Sequence, residues 1–130
     1  MATTPNFTST SRLATAAVST ANTNRDGTGT IVSVITGVAA GTKLFEVAVQ
    51  MTVTSTAGMV RLFLSSDTGS TWKLFDEVAI AAATVSASVK GTRVATQYTN
   101  LILPSASWIL GASTHNAEAS VVTALGGDLT

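Results

Sequence analysis

Between Lys43 and Thr54 the chain alternates apolar and polar residues with a period of two. Phe45, Val47, Val49, Met51 and Val53 fall on one side, and Leu44, Glu46, Ala48, Gln50 and Thr52 on the other. Successive side chains of an extended strand point to opposite faces, whereas a helix would scatter this pattern around its circumference. The run therefore predicts a strand of an antiparallel sheet with one face in a core. Met59 to Ser65 repeats the pattern, with Val60, Leu62 and Leu64 opposite Met59, Arg61 and Phe63. The short link Ser55 to Gly58 predicts that these two runs form a hairpin.

Further alternation follows. Trp72 to Ile80 places Trp72, Leu74, Val78 and Ile80 on one face, with Asp76 interrupting it, so Asp76 is expected at an edge or bend. Ala83 to Val89 alternates with Thr and Ser and reads as another strand, and Pro104 ends the run Leu101 to Leu103. Thr30 to Thr36 reads as a short strand after the turn Asn24 to Gly27, whose Asp26-Gly27 pair suits a tight hairpin. Ser107 to Ser113 and Ala119 to Leu125 flank His115-Asn116 as a second hairpin. Arg12 to Thr20 is rich in Ala, but Thr and Ser recur at every second or third place, which favours a strand over a helix.

About eight short strands at spacings near a dozen residues predict an all-β antiparallel sandwich, jelly-roll-like in its winding. Two parts are expected: an extended, polar N-terminal arm over residues 1–11 and a single sandwich domain over residues 12–130. Polar termini fray unless something holds them, so the arm is expected to lie against a partner.

Composition narrows the function. Seven basic and seven acidic residues cancel, leaving no electrostatic footprint for nucleic acid or an acidic membrane. No run approaches the roughly 18 apolar residues of a membrane span, and the N-terminus lacks the basic-then-apolar order of a signal peptide. The absence of Cys excludes a disulfide framework and a Cys-based zinc site. Charged residues make up 11% of the chain and apolar ones 45%, against about a quarter charged in a typical soluble domain. So weakly charged a surface suits a protein much of whose exterior is covered by neighbours.

Reactive groups are scarce. Asp67-Thr68-Gly69-Ser70 matches the Asp-Thr-Gly-Ser signature of aspartic proteases, in which two chains would pair their carboxylates around one proton. The residues before it are Ser65 and Ser66, however, where a closed protease site needs apolar ones, and the same four residues make an ordinary turn. His115 is the only imidazole and lacks suitably spaced metal partners. No nucleophile elbow or phosphate loop occurs, so no catalytic residue, cofactor or metal site is expected.

Several phrases occur together: Thr20 to Thr30 (TANTNRDGTGT), Val60 to Leu64 (VRLFL), Leu74 to Val78 (LFDEV), Ala112 to Ala119 (ASTHNAEA) and Gly126 to Leu129 (GGDL). In these phrases the chain resembles small virion structural proteins of tailed bacteriophages and prophages, over nearly its whole length beyond Thr20. The resemblance implies a protein made in the host bacterial cytoplasm and carried in the virion. It also places Asp67 to Ser70 in a hairpin loop. Among such roles a single compact domain with a polar arm favours a capsid decoration (cement) protein on the shell surface. Its partners would be the major capsid protein and copies of itself as a homotrimer, with no nucleic acid and no membrane. A tail or fibre component is the alternative, and a homodimeric aspartic protease using Asp67 a remote one. Pro5 and Phe7 are the expected arm anchors, because an isolated Phe in a polar arm has no local core to join. Arg12 and Arg25 are the expected basic contacts to the shell.

Overall fold

In the computed structural model, which describes residues 8–129, the alternating runs form eight strands. They are β1 (Thr10–Val18), β2 (Val32–Thr36), β3 (Thr42–Met51), β4 (Gly58–Ser65), β5 (Lys73–Ile80), β6 (Arg93–Leu103), β7 (Ile109–Thr114) and β8 (Ser120–Asp128). Two four-stranded sheets result, ordered β1-β8-β3-β6 and β2-β7-β4-β5, and every strand pairing is antiparallel. No helix occurs among the described residues. The chain is an all-β sandwich, and Arg12 to Val18 is a strand, as expected. Thr10 and Ser11, assigned to the arm from sequence, already belong to β1.

Strand positions were more legible than their partners. The links at Asn24–Gly27, Ser55–Gly58 and His115–Asn116 do not close hairpins. Each carries the chain from one sheet to the other, because β1, β3 and β8 lie in the first sheet and β2, β4 and β7 in the second. Turn residues fix a change of direction, and either sheet offers the same apolar inner face, so the local signal does not choose between them. Among the described residues the one hairpin of consecutive strands is β4–β5, and its loop contains Asp67 to Ser70.

Ala83 to Val89 is not a strand. It makes isolated bridges at Ser55–Ala83 and Ser86–Val89, and Val89 is 51% exposed. Its Ala side chains bury too little to hold it in a sheet. The following strand, β6, is far longer than the expected Leu101 to Leu103, although it does stop at Pro104.

The core lies between the sheets, with Leu44, Val47, Val49, Val60, Leu62, Leu103, Leu110 and Val122 fully buried. A β-bulge between Leu44 and Glu46 reverses the phase of β3. Thr42 and Leu44 therefore point inward ahead of it and Val47, Val49 and Met51 after it, while Phe45 is 39% exposed. A bulge adds one unpaired residue to a strand, so the uniform alternation assigned Leu44 and Phe45 to the wrong faces. Asp76 lies on the edge strand β5 beside a second bulge, opposite Leu62, as its interruption of the apolar face implied. Tyr98 of β6 donates to Asp76 at 2.8 Å and ties the two sheets together at that edge.

In the second sheet both faces of β4 are buried, including Arg61 and Phe63 on the outer side. The connection between β1 and β2 covers them. It bridges Thr114 through Ala21, and the Asn22 amide nitrogen donates to the Thr114 carbonyl at 2.8 Å. The Asn22 side chain then holds the loop closed by donating to the carbonyls of Thr28 and Thr30. Gly27, at φ 86°, turns the loop against Trp72. Arg25 reaches across to Glu77 on β5.

Candidate functional site

Pro5 and Phe7 lie outside the described residues. The chain enters view at Thr8, which covers Gly127 on the outer face of the first sheet. Ser9 donates its amide to the Asp128 carbonyl at 2.9 Å.

Arg12 does not project as a basic contact. Its Nη1 donates to Asp128 at 2.8 Å and its Nη2 to the Thr36 carbonyl at 3.0 Å. Asp128 also accepts from Thr42 Oγ1, so Arg12 joins β1, β8 and β2 within the chain. Strand alternation turns Arg12 inward along with Ala14, Ala16 and Val18, which explains this role. Arg25 pairs with Glu77 at 3.0 Å, yet its side chain remains 62% exposed. Glu77 also accepts from Arg61 at 2.8 Å. Burial opposes ionisation of Glu77, but the two guanidinium groups outweigh it and lower its pKa.

Asp67 organises the β4–β5 loop. It accepts from the Thr71 hydroxyl and amide and from the Ser65 hydroxyl, which together lower its pKa from 3.8 to about 2. The Ser65 hydroxyl accepts in turn from the Gly69 amide at 2.8 Å. Thr68 and Gly69 take left-handed backbone conformations, at φ 63° and 91°, so the motif makes a tight, self-satisfied turn. Among the described residues no group of three or more His, Asp or Glu side chains is placed to hold a metal ion.

Two surface features stand out. The first is the outer face of the first sheet. Its central row runs Thr15, Thr123, Ala48 and Ala95 across four strands, flanked by Leu13–Leu125–Glu46–Gln97 and Ala17–Val121–Gln50–Arg93. Glu46 and Arg93 are the only charged residues in these three rows. Leu13 is 69% exposed there, and Phe45 and Ile102 are also exposed on this sheet. The second sheet has no such open face, because the β1–β2 connection lies over it.

The second feature is a cavity of about 200 Å³ at the end of the sandwich where β4 stops and β5 and β7 begin. Leu64, Leu74, Phe75 and Trp108 form its apolar walls, and Lys73, Ser66 and Thr71 stand around them. In the sequence Trp108 is only one residue of the run Ser107 to Ser113. The bulge at Leu62–Phe63, which splays Leu74 and Phe75 at the edge, leaves no mark in the alternation.

Compared with known protein families and with curated proteins, the chain matches none.

Proposed function

We propose that this chain is a structural protein of a tailed-phage virion, most specifically a capsid decoration protein. It binds the assembled shell at junctions between capsomers, as a homotrimer, and stabilises it. The observation carrying this reading is the outer face of the first sheet, four strands wide, whose three central rows hold only Glu46 and Arg93 as charged residues, with Lys43 in the row beyond. A flat face of Ala, Thr, Val and Leu loses little hydration when covered and gains roughly 25 cal/mol for each Å² of apolar area removed from water. The nested pairing of β1 with β8, β2 with β7, β3 with β6 and β4 with β5 supports a jelly-roll winding, an architecture common in viral capsid domains.

The mechanism is thermodynamic linkage. A protein that binds the closed shell and not its separated subunits shifts the equilibrium towards the shell by an amount set by occupancy. Each copy needs only a contact of ordinary size, on the order of 1,600 Å² in total, because hundreds of copies act together. No chemistry is required of the chain, and Asp67 serves its turn rather than a reaction. A density map of the purified particle tests the placement. Copies seated on the shell between capsomers uphold the proposal, and density confined to the tail replaces it with a tail component.

A further inference from the structure

We propose that the cavity beside Trp108 binds a small apolar carboxylate, an aryl or alkyl group of about side-chain size with an acid at its end. The proposal is independent of the assembly reading, because the cavity belongs to the second sheet and not to the flat face of the first. Size sets the first limit. A volume of about 200 Å³ lies below the roughly 300 Å³ at which drug-sized ligands begin to fit, so a nucleotide or a flavin has no room. An apolar cavity of about 150 Å³ accommodates benzene, so one ring or short alkyl chain fills this one and leaves its polar end at the mouth. Leu64, Leu74, Phe75 and Trp108 supply the apolar walls, and Leu74 and Phe75 are each still 37% exposed. Covering them removes apolar surface from water, which favours an apolar body.

Lys73 sets the charge of the end group. It lines the cavity, is exposed, and makes no ion pair or side-chain hydrogen bond among the described residues. The acidic groups of its own strand are engaged elsewhere: Asp76 accepts from Tyr98, and Glu77 accepts from Arg25 and Arg61. Asp67, in the adjoining loop, accepts from Ser65 and Thr71. An uncompensated ammonium beside apolar walls attracts an anion more strongly than it would in open water, because the local dielectric is lower. The hydroxyls agree with this. Ser66 has no partner among the described residues and is free to donate, whereas Thr71 has given its proton to Asp67 and can only accept. One cation and one free donor suit the single charge of a carboxylate rather than the two charges of a phosphate ester.

The test titrates the full-length, nitrogen-15-labelled chain with 3-phenylpropanoate and, separately, with its neutral amide, 3-phenylpropanamide. The chain has two Trp residues, so the indole N–H resonance of Trp108 is identified by its loss in Trp108→Phe. The acid should move that resonance saturably, with a Kd on the order of 1 mM for a ligand of this size. The amide should bind roughly fivefold more weakly or worse, because it lacks the charge that Lys73 meets. Lys73→Met, a change on the surface that leaves the fold intact, should lower the affinity for the acid to that for the amide and leave the amide unaffected. A tripeptide, N-acetyl-Ala-Ala-Phe with a free carboxylate, separates two sources of the same chemistry. Binding tighter than 3-phenylpropanoate supports the site as a receptor for the carboxyl end of a polypeptide, and weaker binding supports a free acid. Equal binding of acid and amide, an acid affinity unchanged in Lys73→Met, or a Trp108 resonance that no probe moves overturns the proposal.

Discussion

The Trp72 ring lies against Gly111 of β7 so closely that a Cβ at residue 111 would sit 2.8 Å from two of the ring's carbons. The same Cβ would come 2.8 Å from Ile31 Cγ2. Neither neighbour can withdraw freely, because Trp72 leads into β5 and Ile31 leads into β2. Gly111→Ala should therefore overpack this outer layer and cost about 1–3 kcal/mol, read from urea unfolding followed by tryptophan fluorescence. Loss of stability within that range, with a blue or red shift of Trp72 emission, confirms the contact.

The bulge in β3 makes two adjacent apolar residues unequal. Leu44 is fully buried and Phe45 is 39% exposed. Leu44→Ala should cost about 2–5 kcal/mol by the cavity it leaves. Phe45→Ala, despite removing the larger side chain, should cost less than about 1.5 kcal/mol, since its ring is largely outside the core. Chemical denaturation of the two variants reads the bulge directly, and an inverted ranking would place Phe45 inside.

Arg12 and Asp128 join the first strand to the last at 2.8 Å, with side chains 27% and 17% exposed. Such a pair, screened in part by water, contributes about 1 kcal/mol. A double-mutant cycle with Arg12→Ala and Asp128→Ala, in thermal unfolding at low and high salt, should return a coupling of that size that shrinks with salt.

The Asp67 turn gives a pH dependence with a definite sign. Its folded pKa, about 2, lies below the ordinary 3.8, so ionised Asp67 stabilises the folded chain at pH values above 3.8. That contribution falls away as pH drops from about 4 towards 2. Asp67→Asn should accordingly unfold at a lower temperature than wild type at pH 6, and the two melting temperatures should converge as the pH approaches 2. A gap that persists at pH 2 would show that the carboxylate charge is not what holds the turn.

Strand content was legible because alternation is a local property, and Val47, Val49, Met51, Val60 and Leu62 all face the core as their spacing required. Pairing was not legible. The turn at Ser55–Gly58 looks the same from sequence whether β4 folds back on β3 or crosses to the opposite sheet. Bulges at Leu44–Glu46 and Leu62–Phe63 shift registers without changing composition, so the exposure of Phe45 and the splay of Leu74 and Phe75 had no signal. The site was legible only in outline. Low charge marked a weakly charged exterior, but the three rows of the first sheet become a face only once β1, β8, β3 and β6 are neighbours. Arg12 looked like a free cation because its partner, Asp128, is almost the full chain length away.

The most direct measurement of the central claim is binding of the purified chain to assembled capsid shells and, separately, to unassembled capsid subunits. Sedimentation with shells should give saturable binding, with a rise in the shell's disassembly temperature that follows occupancy, and subunits alone should retain nothing. Substitution of Thr15 and Ala95, exposed in the central row of this face, by Lys should abolish shell binding while the fold persists. Equal affinity for shells and subunits, or shells that disassemble at the same temperature with and without the chain, would contradict the account.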